Sequence, residues 1–303
     1  MSIVRPVLKL VLRLVEKPSL RRATRPEKLR RSLEIKSWLL LHPPRGTSHE
    51  RARLAGVPVE LLAAPGAARD SNGLILYFHG GGYILGSPRT HRTLLARLSS
   101  FCHLPACLPD YRLAPEHPFP AAFDDALAVY REVMDTPGGV ILGGDSSGGG
   151  LALALLGEII RQGLPKPRAL FAFSPFTDLT LSGRSLRENA TTDPLLPASR
   201  AQELVGMYLG PAAPDDPRAS PLFADFKGAP PVWLTVSDTE ILRDDTTRMA
   251  DRLRGQGVDV TEIITHDLPH VWPIFDRYLP EAQETLRDLG RWISHAPPLT
   301  GDS

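Results

Sequence analysis

Two glycine-framed segments hold the residue types that could do chemistry. Gly144-Asp145-Ser146-Ser147-Gly148 follows the apolar run Val140–Leu142 and precedes the helical run Leu151–Ile160. A serine between glycines at a sharp strand-to-helix turn sits in strained backbone with its hydroxyl above the sheet, placed to attack a carbonyl carbon. His79-Gly80-Gly81-Gly82-Tyr83 follows a second apolar run, Leu74–Phe78. Successive glycines at a strand's carboxyl end let backbone amides come close to a ligand, as the oxyanion of an acyl-transfer transition state requires. Each segment has a blander reading. The first could be a turn with an N-capping serine, though a phosphate loop fails because no Lys follows the glycines. The second could be a flexible loop, and Tyr83-Ile84-Leu85-Gly86-Ser87-Pro88 does not complete a dinucleotide G-x-G-x-x-G. His79 reads as a group that pins its loop, and Asp145 as a hydrogen-bond acceptor behind the serine.

Such a serine needs a sheet beneath it, and the pattern supplies one. Apolar runs at Val57–Leu62, Leu74–Phe78, Ala106–Leu108, Val140–Leu142, Leu170–Phe173, Val232–Val236 and Val258–Ile264 read as strands. Helical stretches at 121–134, 151–162 and 245–255 lie between several of them, and 281–293 reads as a last helix packed on the sheet. Runs that are apolar throughout belong to strands covered on both faces, so the fold class is α/β with a mostly parallel sheet and right-handed crossovers. Residues 184–222 break this rhythm and read as an insertion.

Composition removes other classes. The 303 residues carry 35 Lys+Arg against 34 Asp+Glu, too even a balance for a generic nucleic-acid binder. Cys102 and Cys107 are the only cysteines, so neither a disulfide framework nor a zinc set is available, and buried free thiols are expected. The charge is unevenly spread, however. Residues 1–45 hold twelve Lys/Arg against three Glu, and the other 258 hold 23 basic against 31 acidic groups.

With both glycine segments in one chain, the sequence resembles the hormone-sensitive-lipase-like esterases, the bacterial family IV carboxylesterases of the α/β-hydrolase superfamily. Asp110-Tyr111-Arg112-Leu113-Ala114-Pro115-Glu116-His117-Pro118-Phe119-Pro120-Ala121 matches the family's D-Y-R-L-A-P-E-x-P-F-P-A segment. Ser220-Pro221-Leu222 resembles the S-P-L after its cap insertion, and Leu268-Pro269-His270-Val271-Trp272 its catalytic-histidine loop. The likeness runs from about residue 73 to the carboxyl terminus.

The resemblance implies a serine carboxylesterase for short- to medium-chain esters, with a triad in the order Ser, acid, His. It puts Ser146 in the nucleophile position and His270 in the base position, leaving His266 as structural or surface. Aligning Leu242 and Asp244 on the family's D-P-L-x-D segment puts Glu240 in the acid position, where Asp is commoner; Asp238 is the runner-up. Amides of Gly81, Gly82 and Ser147 form the implied oxyanion hole, with His79, Gly80 and Asp145 supporting the loop. The family usually has Ala at Ser147, so its hydroxyl could tune specificity. Arg112 and Glu116 read as pairing groups, and Trp272 either walls the site or packs the core. No cofactor or metal is called for, and the expected partner is a small ester, without nucleic acid or membrane and with a homodimer left open. A lactone or amide hydrolase with the same triad is the alternative; a silent ligand receptor would lack His270.

In Met1–Lys17, Arg5, Lys9, Arg13 and Lys17 recur every four residues and interrupt the apolar run, which suits neither a secretory signal nor a span. The segment reads as an amphipathic helix, with a second helix from Pro26 to Pro43–Pro44. The resemblance divides the chain into a cap segment, 1–50, and a catalytic domain, 51–303, whose insertion near 184–222 completes the cap. Burial of the helix's apolar face under the cap is expected, with Arg5, Lys9 and Arg13 in water. Binding to an anionic membrane and an organelle presequence rank below that, and a cytoplasmic protein is expected.

Overall fold

The computed structural model describes residues 4–23, 25–67 and 73–296. The chain opens with α1 (Val4–Val11), a π-helical turn (Leu12–Glu16), α2 (Lys17–Arg22) and α3 (Pro26–Leu40). Then come β1 (Ser48–Leu54), β2 (Val57–Ala63), β3 (Leu74–Phe78), α4 (Pro88–Cys102), β4 (Ala106–Pro109) and α5 (Ala121–Val133). The middle holds β5 (Val140–Asp145), α6 (Ser146–Gln162), β6 (Ala169–Phe173), α7 (Ser185–Glu188) and α8 (Ala201–Leu209). The last elements are β7 (Val232–Ser237), α9 (Arg243–Gly255), β8 (Val260–Thr265) and α10 (Pro280–His295).

The strands form one sheet of eight in the order β1-β2-β4-β3-β5-β6-β7-β8. β2 runs antiparallel to both β1 and β4, and every other pairing is parallel. Alternate residues point to opposite faces, so Leu76 and Phe78 join one core while Ile75 and Tyr77 join the other. The first core is closed by α5, α6 and α9 through residues such as Val129, Leu155 and Leu253. The second is closed by α4 and α10 through Leu94, Leu98, Leu286, Leu289 and Ile293. Covering on both faces is why the central strands are apolar without alternation. Cys102 and Cys107 are buried free thiols, and burial raises them to about 11 and about 12.

Two departures from the sequence reading concern strands. β1 was not expected: Ser48-His49-Glu50-Arg51-Ala52-Arg53-Leu54 has no apolar alternation, and it is largely exposed. As an edge strand it needs only β2 on one side, and its charges blunt the free edge. β8 begins at Val260 rather than Val258, because Gly257 at φ +80° turns the chain and the Val258 N–H donates to the carbonyl of Leu253. The 184–222 insertion is helical, holding α7 and α8 and no strand.

The largest correction concerns α1. Its charged face turns inward and its apolar face turns to water. Arg5 donates to the carbonyls of His266 and Asp267, and Lys9 to the Asp267 carboxylate. Arg13 donates to the Thr192 carbonyl, and Lys17 to those of Ala190 and Asp193. Val7, Val11 and Leu14 are 58%, 47% and 64% exposed. The reason lies in the surface beneath. The 190–193 and 266–267 loops present carbonyl oxygens without strand or helix partners, and such groups need donors. Leu12 is buried, and Leu8 packs in part against Leu268, Trp272 and Leu279.

Candidate active site

The sheet gathers four loops at the carboxyl ends of β3, β5, β7 and β8, where open α/β sheets place their ligands. At the end of β5 the chain turns into α6 with Ser146 at φ 52°, a left-handed conformation costly for a residue with a Cβ. The tightness of this elbow is measured at Gly148, where a Cβ would lie 2.1 Å from the Phe78 carbonyl oxygen. Helix α6 therefore presses its first turn against the end of β3. Its leading amides have no intrahelical partner.

Two side chains tie this elbow to the glycine loop. The Asp145 carboxylate accepts from Tyr77 Oη at 2.7 Å and from the Gly80 N–H at 2.9 Å. His91 Nε2 lies 3.2 Å from its Oδ1. Burial pushes the Asp145 carboxyl up, yet His91, Tyr77 and the Gly80 amide outweigh it and hold the group below the usual carboxylate range. The second tie is Ser147, whose Oγ accepts from the Tyr83 N–H at 3.2 Å. That hydroxyl is wholly buried, so it braces the loop and does not face a substrate as the sequence reading allowed. With Gly80 and Tyr83 committed, the amides of Gly81 and Gly82 have no bonded acceptor among the described residues.

His79 is buried, stacked on Tyr111 at a centroid distance of 4.3 Å, with Nδ1 2.9 Å from the Gly80 carbonyl. Burial and then the neighbouring His91 lower it to about 3, so it stays neutral. Arg112 forks onto Asp125, and Glu116 takes a two-point contact from Arg30 of α3. Trp272 is fully buried and donates from Nε1 to Thr285 Oγ1, so it belongs to the core.

On the opposite side, His270 Nδ1 lies 2.5 Å from Glu240 Oε2, with the two side chains 5% and 0% exposed. Asp238 does not meet His270. It pairs instead with His266, at 2.7 Å on the surface. Glu240 Oε1 accepts from Ser174 Oγ at 2.9 Å and from the Ser237 N–H at 2.7 Å. Burial works against the His270 imidazolium, but the Glu240 carboxylate outweighs it and raises the group above its usual 6.5.

The loop after β6 joins these parts. Ser174 donates to Glu240 and accepts from the Val271 N–H at 3.4 Å, while the Phe176 N–H donates to the Ser146 carbonyl at 2.9 Å. Sequence reasoning passed over Ser174, although a polar residue at the carboxyl end of an all-apolar strand was its signal. It also missed Asn189, which donates to the carbonyls of Asp238 and Glu240, and Asp193, which accepts from the Ile241 N–H. These come from the insertion and lacked any signal in spacing. Asp244 and Asp245 stand in the first turn of α9, and Asp245 also accepts from the amides of Thr177 and Asp178.

A strand, a strained serine and a helix, facing a glycine loop and a buried carboxylate–imidazole pair, can form and break an acyl bond. The family signature described as the α/β-hydrolase fold matches residues 75–274. The chain belongs to that family. Similar proteins include an esterase of Acinetobacter venetianus, 38% identical over 80% of each chain, and an acetyl-hydrolase of Streptomyces hygroscopicus, 34% identical over 84% of this chain and 90% of that one. A solved esterase of the bacterial hormone-sensitive lipase family superposes with a TM-score of 0.90, at 35% identity, covering 98% of this chain and 99% of that one. The esterase EstE5, soaked with p-nitrophenyl butyrate, superposes with a TM-score of 0.91, at 34% identity and the same coverage. This α/β hydrolase is therefore a carboxylic ester hydrolase of the hormone-sensitive-lipase-like group. Among the described residues, no helix is long and apolar enough to cross a membrane.

Proposed function

We propose that Ser146, His270 and Glu240 are the triad of this hydrolase and that its substrates are uncharged esters with short to medium acyl chains. One observation carries the assignment: the buried 2.5 Å contact between His270 Nδ1 and Glu240, tied through Ser174 and Phe176 to the strained Ser146 elbow. With Nδ1–H donated to Glu240, Nε2 is left with its lone pair free to take the Ser146 proton. The serine oxygen bonds to the ester carbon, and the carbonyl electrons move onto oxygen. The amides of Gly81, Gly82 and Ser147 receive that oxyanion; removing one such donor costs about 3–4 kcal/mol in barrier. The tetrahedral species expels the alcohol, which takes the proton from His270. Water, deprotonated by the same imidazole, then releases the acid and restores the serine.

The size preference rests on the insertion. Leu204 of α8 lies so close over the glycine loop that a Cβ on Gly82 would come within 2.4 Å of its Cδ1. The insertion and α1–α2 also meet through Arg13, Lys17 and Arg200, which suits a shared cap over residues 51–303. Buried free thiols fit a reducing compartment, and we assign the enzyme to the cytoplasm. The test is hydrolysis of p-nitrophenyl esters from acetate to dodecanoate beside a Ser146→Ala control. A maximum of kcat/KM at short or middle lengths is expected. Turnover no higher than the control at every length would remove the assignment.

A further inference from the structure

The inward turn of the charged face of α1 leaves an apolar surface that the catalytic reading does not use. Val7 and Val11 line its outer side and Leu14 of the π-helical turn continues it, at 58%, 47% and 64% exposed. On α3 the solvent side carries Ile35, Trp38 and Leu39, at 50%, 67% and 55% exposed. Lys28 and Arg31 lie on that same side of α3, since residues three, four and seven apart share a helix face. Lys36 pairs with Glu16 and ties α3 to the π-helical turn that follows α1. Isolated exposed leucines mean little, but apolar outer faces on two helical segments joined by an ion pair mark an interaction site.

Charge decides what sits there. Arg21, Arg22, Arg25, Lys28 and Arg31 are all exposed, and none forms an ion pair among the described residues. The cations that hold the helices to the body are a separate set: Arg5, Lys9, Arg13, Lys17 and Arg30. A second copy of the chain would bring one row of free cations against another, with only Glu27 exposed between them to compensate. An anionic bilayer complements both features at once. Its headgroups neutralise the arginines and lysines, its interface takes Trp38, and the valines and leucines enter the acyl boundary.

We propose that α1–α3 dock this hydrolase flat on an anionic lipid surface, apolar faces down, while the inner charged face stays clamped to the body. This reverses the expectation of no membrane association, and it stands independently of which residues form the triad. The test is co-sedimentation of the full chain with phosphatidylcholine vesicles with and without phosphatidylglycerol. Binding is expected only with phosphatidylglycerol, and it should fall steeply as salt rises to about 0.5 M, where surface charges are screened. Lys28→Glu with Arg31→Glu should weaken it by about ten-fold or more. Val11→Ser with Trp38→Ser should weaken it without changing the salt dependence. Both variants lie on exposed faces, so hydrolysis of p-nitrophenyl butyrate in solution should match the unsubstituted chain and report the fold intact. Equal sedimentation with and without phosphatidylglycerol would overturn the proposal. So would a dimer in sedimentation velocity that Val11→Ser with Trp38→Ser dissociates, without vesicle binding.

Discussion

Two carboxylate–imidazole pairs stand side by side at the ends of β7 and β8, two residues apart on one loop and four on the other. Asp238 meets His266 at 2.7 Å and Glu240 meets His270 at 2.5 Å. The chemistry is the same and the surroundings are opposite. The first pair is 39% and 78% exposed, the second 0% and 5%. In water such a pair is worth at most about 1 kcal/mol, because screening and side-chain freedom consume the attraction. Buried, with Ser174 and Ser237 filling its other oxygen, Glu240 has one orientation and fixes one histidine tautomer. Backbone strain gathers here too. Val271, directly after His270, sits at φ 51°, which a β-branched residue rarely adopts, and Ser174 at φ 46°.

The sharpest break of this comparison is at the histidines. His270→Ala should lower kcat for p-nitrophenyl butyrate by about 10⁴–10⁶-fold, whereas His266→Ala should stay within about two-fold. Next come the acids. Glu240→Gln is expected to cost about 10³–10⁴-fold through the wrong tautomer, against a few-fold for Asp238→Asn; the reverse ranking would hand the role to Asp238.

A smaller effect separates the pairs by pH. As the proposed base, His270 must be neutral to take a proton, and Glu240 raises it, so the acid limb of kcat/KM should fall at a pH above the usual 6.5. Glu240→Gln removes the raising charge and leaves burial, which lowers the group, so the residual activity should persist to lower pH. An unmoved acid limb would contradict the coupling. The mildest change is Ser147→Ala, which loses one buried hydrogen bond to the Tyr83 amide. Stability should drop by about 1 kcal/mol, read as a lower Tm, with kcat nearly unchanged.

What could be read in the sequence follows from how local each cause is. β3, β5, β6 and β7 were legible because strands buried on both faces must be apolar throughout. Ser146 and the glycine loop were legible because their backbone demands glycines at fixed offsets. β1 was illegible, since a charged edge strand owes its pairing to a neighbour and not to its own pattern. Glu240 was reached only through resemblance, and Asn189 and Asp193 not at all, because they act across about fifty residues on a loop they help to hold in place. For α1, periodicity showed two faces but could not show which would lie inside. That depended on bare carbonyls in loops far along the chain.

The π-turn at Leu12–Glu16 sets the phase of that arrangement. In a plain α-helix each residue advances about 100°, so a four-residue step overshoots one turn by about 40° and three steps lose the face. Yet Arg5, Lys9, Arg13 and Lys17 all reach the body. The wider turn takes up the accumulated rotation, like a spacer washer between two threaded parts. The arm is therefore specified by its residue count as much as by its composition. Were the turn plain α-helix over the same residues, everything before it would rotate, swinging Arg5 and Lys9 off Asp267 while every residue type stayed the same.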